Sequence, residues 1–461
     1  MVVLGGVVVR VTGTRPGYDP YGWLDWGYQT LHGSLNLGGA PSWKPFTFLF
    51  NVPYALFGGY ALWLWMLTAI SVSLAGAVFG GRIAYKLTAA DAKHRYAAIA
   101  AAVFAGASVL GIQEYFHYVL SAQSDSMLVS VCLAAIDCHI NGRHRWAWWL
   151  GVLAALGRPE VWAFLGLYAI WTWLRIPSMR WMLYSGVVVI VFLWFGVPTI
   201  TNGKPNIAGQ LALKSPRELH SNKIVGTLNR FTALDYLPVE IAALLAFVMA
   251  LLRRSRAVMA LAAMVALWVL VELAFVLHGF PGVPRYLFEP AGLTGVLAGI
   301  AVGWLLLDAS RIHRSLPSWA GIPLVVLLVA VMIPRAVSQI RTEHKDVYHE
   351  RARTKEIGKL AATISALGGY QQVLACGRPV VNVEYVSIMG WYTHRNTGLI
   401  GYRPLIELHK RKYPIVLFTS LPNGWTVQPY RTPVSLQSTC ARLKSLYVPT
   451  ARHPQGVLIR R

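Results

Sequence analysis

Two carboxylates lie near the start of the chain, in a stretch that is rich in aromatic side chains. Asp19 and Asp25 are six positions apart within Gly17-Tyr-Asp-Pro-Tyr-Gly-Trp-Leu-Asp-Trp26, and the polar character continues to Pro41-Ser-Trp-Lys-Pro45. A carboxylate beside a reacting hydroxyl can accept its proton, and a cation can take up the charge of a departing phosphate. These residue types fit the transfer of a group from a phosphate to a hydroxyl, and residues 11–57 form the candidate catalytic loop.

Within this loop, Asp19 is the first candidate for the base. It precedes Pro20, which biases Asp19 toward an extended backbone and lets its carboxylate project; the alternative is that Asp19 caps the following helix. Asp25 is a second candidate, as an assisting acid or, with Asp19, as a ligand of a divalent cation such as Mg²⁺ or Mn²⁺; it could also simply face water. Lys44 could neutralise a donor phosphate, or it could be a lysine whose amine reaches the membrane surface.

Three tryptophans of the loop are candidates for binding a sugar ring by stacking: Trp23, Trp26 and Trp43. The alternative is a structural role, because Trp is favoured in packing and at membrane interfaces. The chain has 18 tryptophans, and we assign most of them to that second role.

Charged and polar groups also stand at the starts of later apolar runs. His117 belongs to a second polar segment, which ends in Ser124 and Asp125. Either of these two residues would make a helix N-cap, and the segment is polar enough to line a substrate cleft. Arg158 and Glu160 lie between two apolar runs, where charged groups normally face a cavity or a partner. They could pair with each other, or Arg158 could meet a phosphate and Glu160 a sugar hydroxyl.

A further run begins at Pro284-Arg-Tyr286. Arginine suits the bidentate binding of phosphate, so Arg285 joins Arg158 and Lys44 as a candidate ligand of a donor phosphate, with Tyr286 beside it.

The composition places these residues in a membrane protein. Of 461 residues, 55% are hydrophobic and 13% charged, about half of the charged share usual in soluble domains. Apolar runs of about 20 residues recur between short basic connectors. The net charge of +23 sits largely in those connectors, which argues against nucleic-acid binding.

We predict about eleven transmembrane helices with the N-terminus inside, because basic connectors favour the cytoplasm. Those connectors carry Arg82, Lys86, Lys93, Arg95, Arg143, Arg145, Arg175, Arg180, Arg253, Arg254, Arg256, Arg311 and Arg314. The connectors that are longer or poorer in cations, which then face outward, are 11–57, 112–125, 157–160, 201–236 and 279–285. Met1–Val9 is apolar but too short to span by itself.

After Pro334 the composition becomes polar, and we predict a small extracytoplasmic α/β domain over 335–461. A helix over Arg335–Leu367 would precede three short strands: Gln372–Cys376, Val380–Ile388 and Tyr413–Thr419. Cys376 and Cys440 could form a disulfide if this domain lies outside the cell.

Five motifs together resemble the GT-C superfamily of integral-membrane glycosyltransferases, and more narrowly actinobacterial mannosyl- and arabinofuranosyltransferase-like proteins. They are Tyr18-Asp-Pro-Tyr21 with Trp23 and Trp26, Pro41-Ser-Trp-Lys-Pro45, Ser124-Asp125, Gly157-Arg-Pro-Glu160 and Pro284-Arg-Tyr286. The resemblance covers about residues 10–310. It implies a many-helix membrane module, an acidic first external loop, a polyprenyl-phosphate sugar donor and inversion at the anomeric carbon. It makes Asp19 the matched first-loop acid and Asp25 a possible second one, although the two are not adjacent as in many relatives.

The resulting prediction is an all-α polytopic membrane protein with a GT-C-like module over 1–334. It would transfer a mannose- or arabinofuranose-class sugar to a cell-envelope glycan or glycolipid at the outer face of the plasma membrane. Two other classes stay open at this point. A transporter or flippase of lipid-linked sugars would use Arg158 and Glu160 to line a pathway. A scaffold that binds envelope polymer would need neither carboxylate of the first loop.

Overall fold

In the computed structural model, the described residues are 1–39, 41, 43–89, 95–213, 215, 217–220, 222–307, 318–410, 412–421, 424–438 and 440. The predictions for Ser42, Lys93, Arg311, Arg314 and 441–461 lie outside these residues. The described part of the chain forms twenty α-helices and a small β-sheet. The first ten helices are α1 Val2–Thr12, α2 Tyr18–Leu31, α3 Pro45–Ala55, α4 Ala61–Thr88, α5 Arg95–Leu110, α6 Tyr115–Leu120, α7 Ser124–Ile140, α8 His144–Ala155, α9 Val161–Arg175 and α10 Arg180–Val191. The others are α11 Val197–Asn202, α12 Ile207–Ala212, α13 Lys223–Thr232, α14 Leu237–Arg253, α15 Arg256–Leu277, α16 Phe288–Leu307, α17 Gly321–Ala366, α18 Tyr370–Cys376, α19 Val386–Thr393 and α20 Pro404–Lys410.

Several of these helices can cross a membrane. Within the described ranges, five helical segments are long and apolar enough by themselves: Gly58–Thr88, Pro177–Asn202, Arg256–Leu277, Pro284–Leu307 and Gly321–Ala366. A sixth span results if α13 and α14, which meet at a bend of 96°, are counted as one. The other predicted spans correspond to shorter helices such as α5, with 16 residues, and α7, with 17. The number eleven therefore stays a prediction.

Helix α16 forms the centre of the bundle and is buried along nearly its whole length. It packs against α4, α5 and α14. Glycines at every fourth position, Gly295, Gly299 and Gly303, form a stripe that lets neighbouring backbones approach. A Cβ on Gly299 would lie 2.6 Å from the carbonyl oxygen of Ala101 in α5, so a larger residue would force the two helices apart.

The predicted boundary at residue 334 falls inside α17. This helix has 46 residues and continues through Pro334. Its first half is apolar, and its second half is charged and leaves the apolar bundle. The predicted helix over 335–367 is therefore the C-terminal part of a longer one.

The C-terminal unit contains one three-stranded sheet in the order β1 (Arg378–Val380), β2 (Ile415–Leu421), β3 (Gly424–Tyr430). β1 and β2 are parallel, with Pro379 opposite Val416, and β2 and β3 are antiparallel, with Phe418 opposite Val427. Cys376, at the end of α18, forms a disulfide with Cys440.

The predicted strands of this unit are correct only in part. The strand predicted over 413–419 overlaps β2. Residues 372–376 instead belong to α18, and 380–388 holds only the last residue of β1 before the chain turns into α19. Both errors concern short apolar runs, in which the periodicity of the hydrophobic residues alone does not distinguish a strand from a helix.

The C-terminal unit packs directly on the first polar loop. α19 lies against α2, where the rings of Tyr21 and Tyr392 are 6.3 Å apart. The outer half of α17 also contacts this loop, because Nη2 of Arg353 donates to the carbonyl oxygen of Pro16 at 3.0 Å. The first loop and the C-terminal unit therefore lie on the same side of the bundle.

Candidate active site

Asp19 lies in the first turn of α2 but does not cap it. The N-cap is Gly17, whose N–H donates to the carbonyl oxygen of Ser121 at 2.8 Å. A Cβ on Gly17 would lie 2.7 Å from Nε2 of Gln123, so a larger residue would require the glutamine side chain to move. The alternative role of Asp19 as a helix cap is therefore wrong, and its carboxylate is free to point toward the cations described next.

Arg285 is the direct partner of Asp19. It lies in a short 3-10 turn, Pro284–Leu287, that leads into α16. Its Nη1 is 3.7 Å from Oδ2 of Asp19, and its Nε is 4.0 Å from Oδ1 of Asp125. The guanidinium also lies 5.7 Å from the ring centre of Tyr118 and 5.8 Å from that of Tyr286.

Lys44 approaches Asp125 from another direction. It is the N-cap residue of α3, and its Nζ is 3.5 Å from Oδ1 of Asp125 and 3.2 Å from Oγ of Ser124. Burial lowers the pKa of Lys44, while the negative charge of Asp125 acts in the opposite direction. Ser124 and Asp125 occupy the first turn of α7 after the N-cap Gln123, so the prediction that either residue is the cap is wrong.

Arg158 lies in the turn between α8 and α9 and is enclosed by acceptors. Its Nη2 donates to Oδ1 of Asp125 at 2.5 Å and to the carbonyl oxygen of Arg285 at 2.8 Å. Its Nε is 3.2 Å from Oε1 of Glu289, and its Nη1 is 3.7 Å from Oε1 of Glu160. The guanidinium carbon lies 4.4 Å from the ring centre of Tyr286, which we had predicted beside a donor phosphate.

Side-chain exposure divides these groups into two layers. The rim consists of the three partly exposed residues Asp19 at 22%, Lys44 at 15% and Arg285 at 14%. The floor consists of the buried residues Asp125 at 0%, Glu289 at 1%, Arg158 at 3% and Glu160 at 7%. The rim is therefore the part of the cluster that a ligand can contact from outside, whereas the floor is occupied by its own ion pairs.

Asp25, the second predicted catalytic acid, lies elsewhere. It is 1% exposed, its Oδ2 accepts a hydrogen bond from Nε2 of Gln29 at 2.6 Å, and it faces Gly390 of α19. Six residues of α-helix advance the side-chain direction by about 600°, which turns Asp25 about a third of a circle away from Asp19. Burial raises the pKa of Asp25 to about 8, although the bond from Gln29 acts in the opposite direction. Among the described contacts Asp25 pairs with no cation of the rim or floor, so we no longer assign it a catalytic role.

A divalent cation shared by Asp19 and Asp25 does not fit this arrangement. Among the described residues, no group of three or more His, Cys, Asp or Glu side chains could hold a metal ion. The two carboxylates face different partners, Arg285 for Asp19 and Gln29 for Asp25. No step below depends on a metal.

The three tryptophans of the loop are packed inside the protein. Trp23, Trp26 and Trp43 are 0–2% exposed. The rings of Trp26 and Trp43 lie 5.2 Å apart, and Trp23 meets Trp65 edge-to-face at 5.7 Å. Rings enclosed in this way leave no face for a sugar, so the geometry favours a packing role over the predicted stacking role.

His117 pairs with a residue of α17. Its Nδ1 lies 2.7 Å from Oδ2 of Asp346, in the outer half of α17. This contact ties the second polar segment to the C-terminal part of the chain. Substrate binding by His117 stays a prediction.

Glu289 is the residue of the floor that the sequence analysis did not assign. It follows Arg285 by four positions, the spacing that places two side chains on the same face of a helix. That spacing was visible in the sequence as Pro284-Arg-Tyr-Leu-Phe-Glu289, but only the structure shows that Glu289 pairs with Arg158 from a distant turn.

Comparison with known proteins places the fold. No family model matches the sequence, and no curated protein matches it. Among solved structures, the chain is similar to ArnT from Cupriavidus metallidurans in the apo state, with a TM-score of 0.53 and 16% sequence identity over 98% of this chain and 96% of that one. A second structure of that ArnT, bound to undecaprenyl phosphate, has a TM-score of 0.49 at the same identity and coverage. The apo comparison shows that this chain has an ArnT-like fold.

Proposed function

We propose that this chain is a membrane glycosyltransferase that takes its sugar from a polyprenyl phosphate. The observation that carries the proposal is the rim at a partly exposed end of the helical bundle. There the carboxylate of Asp19 lies 3.7 Å from Arg285, and Arg285 and Lys44 both approach Oδ1 of Asp125. A donor with a lipid chain can place that chain in the bilayer and its phosphate at the rim. The ArnT-like fold supports a membrane enzyme with such a donor.

The proposed reaction is a single displacement. The carboxylate of Asp19 accepts the proton of the acceptor hydroxyl while that oxygen forms a bond to the anomeric carbon of the donor. The bond between the anomeric carbon and the phosphate oxygen breaks, and its electron pair leaves with the lipid phosphate. Arg285 and Lys44 stabilise the charge that develops on the phosphate. Because the acceptor attacks opposite the leaving group, the configuration inverts.

The floor has a positioning role in this proposal. Asp125 lies within 4.0 Å of both rim cations, and it also forms an ion pair with the buried guanidinium of Arg158. The buried carboxylate therefore draws Lys44 and Arg285 toward one point. Because Arg158 is 3% exposed and already surrounded by acceptors, we assign it to this support, rather than to the donor phosphate as the sequence had suggested.

We base the proposed class of donor sugar and the proposed acceptor on the sequence resemblance. The donor sugar is of the mannose or arabinofuranose class, and the acceptor is a cell-envelope glycan or glycolipid at the outer face of the plasma membrane. The outward orientation is supported by the basic connectors, since cations such as Arg82 and Lys86 lie near the other end of α4.

The direct test is Asp19→Asn in the purified protein. Turnover with synthetic polyprenyl-phosphate mannose and polyprenyl-phosphate arabinofuranose should fall by about 10²–10⁴-fold. Asp19→Glu should recover part of it, because the base is restored in a shifted position. The matched control is Glu218→Gln, which neutralises a carboxylate paired with Lys223 in another polar loop and should keep full turnover.

Near-normal turnover of Asp19→Asn would remove Asp19 as the base. The assay also separates the enzyme from a transporter of lipid-linked sugars. Transfer of sugar to an acceptor in detergent, without any membrane gradient, supports the enzyme. Movement of the intact lipid-linked sugar across vesicles, without transfer, would replace the proposal by the transporter.

A further inference from the structure

A second groove, distinct from the candidate active site, lies at the end of α4 and α7 opposite to Asp19. Its volume is about 590 Å³, and its lining includes Val78, Arg82 and Lys86 of α4, Val103 of α5 and Asn141 after α7. The distance along α7 separates it from the candidate active site. Asp125 and Asp137 are 12 residues apart on this helix, which corresponds to about 18 Å at the rise of an α-helix.

Two cations mark one end of the groove. Arg82 and Lys86 are one turn apart on the same face of α4, so their side chains are neighbours. Nη2 of Arg82 lies 3.0 Å from Oδ2 of Asp137, and Nζ of Lys86 donates to Oδ1 of Asn141 at 2.5 Å. The side chain of Arg82 nevertheless remains 54% exposed. It can therefore contact a ligand while it stays paired with Asp137.

The other end of the groove is apolar. Val78, one turn before Arg82 on the same face of α4, is 43% exposed, and Val103 on the facing helix is 66% exposed. Along α4 the groove thus changes within one turn from aliphatic surface to the cations of Arg82 and Lys86. Because Asp137 also lines the groove, two cations and one carboxylate leave it with one net positive charge. A lysine or arginine that only extends to solvent does not require an apolar groove beside it. The combination of cations and aliphatic surface in one groove therefore indicates a ligand with an anionic part and an apolar part.

We propose that this groove binds one anionic phospholipid. The phosphate of the headgroup lies between Arg82 and Lys86, and an acyl chain follows Val78 and Val103. Charge complementarity selects the occupant: basic residues at a membrane surface attract anionic headgroups, whereas a zwitterionic lipid gains less from a site with a net positive charge. The groove belongs to the end of the bundle with basic connectors, where anionic lipid is expected if that end is cytoplasmic.

The experiment measures retention of lipid by the full-length protein in detergent. Purified protein is mixed with phosphatidylglycerol or with phosphatidylcholine of the same acyl chains, and bound lipid is counted by native mass spectrometry. We expect preferential binding of phosphatidylglycerol. Arg82→Gln combined with Lys86→Gln should weaken it about tenfold or more. The matched control, Arg254→Gln with Arg256→Gln, removes the same charge from exposed positions in another basic connector and should bind normally.

A second variant guards against a folding defect, since Arg82 pairs with the buried Asp137. Val103→Trp fills the apolar end, keeps both cations and changes an exposed residue. It should also reduce binding of phosphatidylglycerol. Equal binding of the two lipids by the wild type, or unchanged binding by Val103→Trp, would overturn the proposal. Displacement of the lipid by millimolar inorganic phosphate would show recognition of the phosphate alone and would likewise overturn the lipid assignment.

Discussion

Replacing Asp25 by Asn should stabilise the protein at alkaline pH. The Asp25 carboxyl is buried between α2 and α19, where Gln29 donates to Oδ2. Its other oxygen, Oδ1, has no hydrogen-bond partner among the described residues. Ionisation therefore places a charge in a site that solvates it poorly, and burial raises the pKa of this group from 3.8 to about 8.

The direction of the pH effect follows from the proton count. Below about pH 4, Asp25 is protonated in both the folded and the unfolded chain, and its titration has no effect. Between about pH 4 and 8 the folded protein keeps a proton that the unfolded chain releases, so the free energy of unfolding decreases as the pH rises. Above pH 8 the loss is complete. At about 1.4 kcal/mol per pH unit, the full difference is about 6 kcal/mol.

The assay is the apparent unfolding temperature in detergent between pH 5 and 9. We expect Asp25→Asn to exceed the wild type at pH 9 by about 5 °C or more, with a smaller gap at pH 5, because asparagine has no charge to bury. Glu218→Gln is the control, since the side chain of Glu218 is partly exposed and this variant should follow the wild-type profile. If the wild type and Asp25→Asn had parallel profiles over the whole range, Asp25 would not be a buried, protonated carboxyl.

Three further changes test the cluster, the C-terminal unit and the rim. Arg158→Gln should reduce the free energy of unfolding by about 3–5 kcal/mol because it leaves buried carboxylates unpaired, and adding Glu289→Gln to this variant should recover part of the loss. A loss below about 1 kcal/mol in the unfolding assay would contradict the burial of the cluster. Cys376→Ser, which removes the disulfide to Cys440, should destabilise the C-terminal unit by about 2–4 kcal/mol and make it sensitive to limited proteolysis; equal protease resistance of variant and wild type would contradict this. Lys44→Met should lower kcat/KM for the lipid donor about tenfold or more, and an unchanged value would assign Lys44 to the membrane surface.

The convergence of distant motifs could be predicted from the sequence, because it depends only on the alternation of connectors. Asp19, Asp125, Arg158 and Arg285 all lie at ends of helices in connectors that are poor in cations. Alternate connectors of a membrane bundle meet on the same side, whatever the packing of the spans. The structure brings these four residues into one linked set of ion pairs and hydrogen bonds.

The directions of individual side chains within the candidate catalytic loop, residues 11–57, could not be predicted from the alternation of connectors. Asp25 and Trp23 lie in the same short helix as Asp19, yet both are buried against other parts of the chain. The helical phase alone separates Asp25 from Asp19, but the residue that Asp25 faces, Gly390, is 365 positions later in the sequence. A contact over that separation depends on how the C-terminal unit docks, which no local pattern encodes.

The energies of the two layers indicate which arginine meets the donor phosphate. The pair between Asp19 and Arg285 spans 3.7 Å and is partly exposed, so it is worth about 0–1 kcal/mol. A phosphate that pairs with both Arg285 and Lys44 would offset that loss. The carboxylate of Asp19 would then be released from Arg285 and could act as a base. Removing Arg158 from its buried partners would instead cost about 3–5 kcal/mol. In the proposed reaction, donor binding would therefore exchange partners at the rim, and the floor would stay intact to hold the two cations in place.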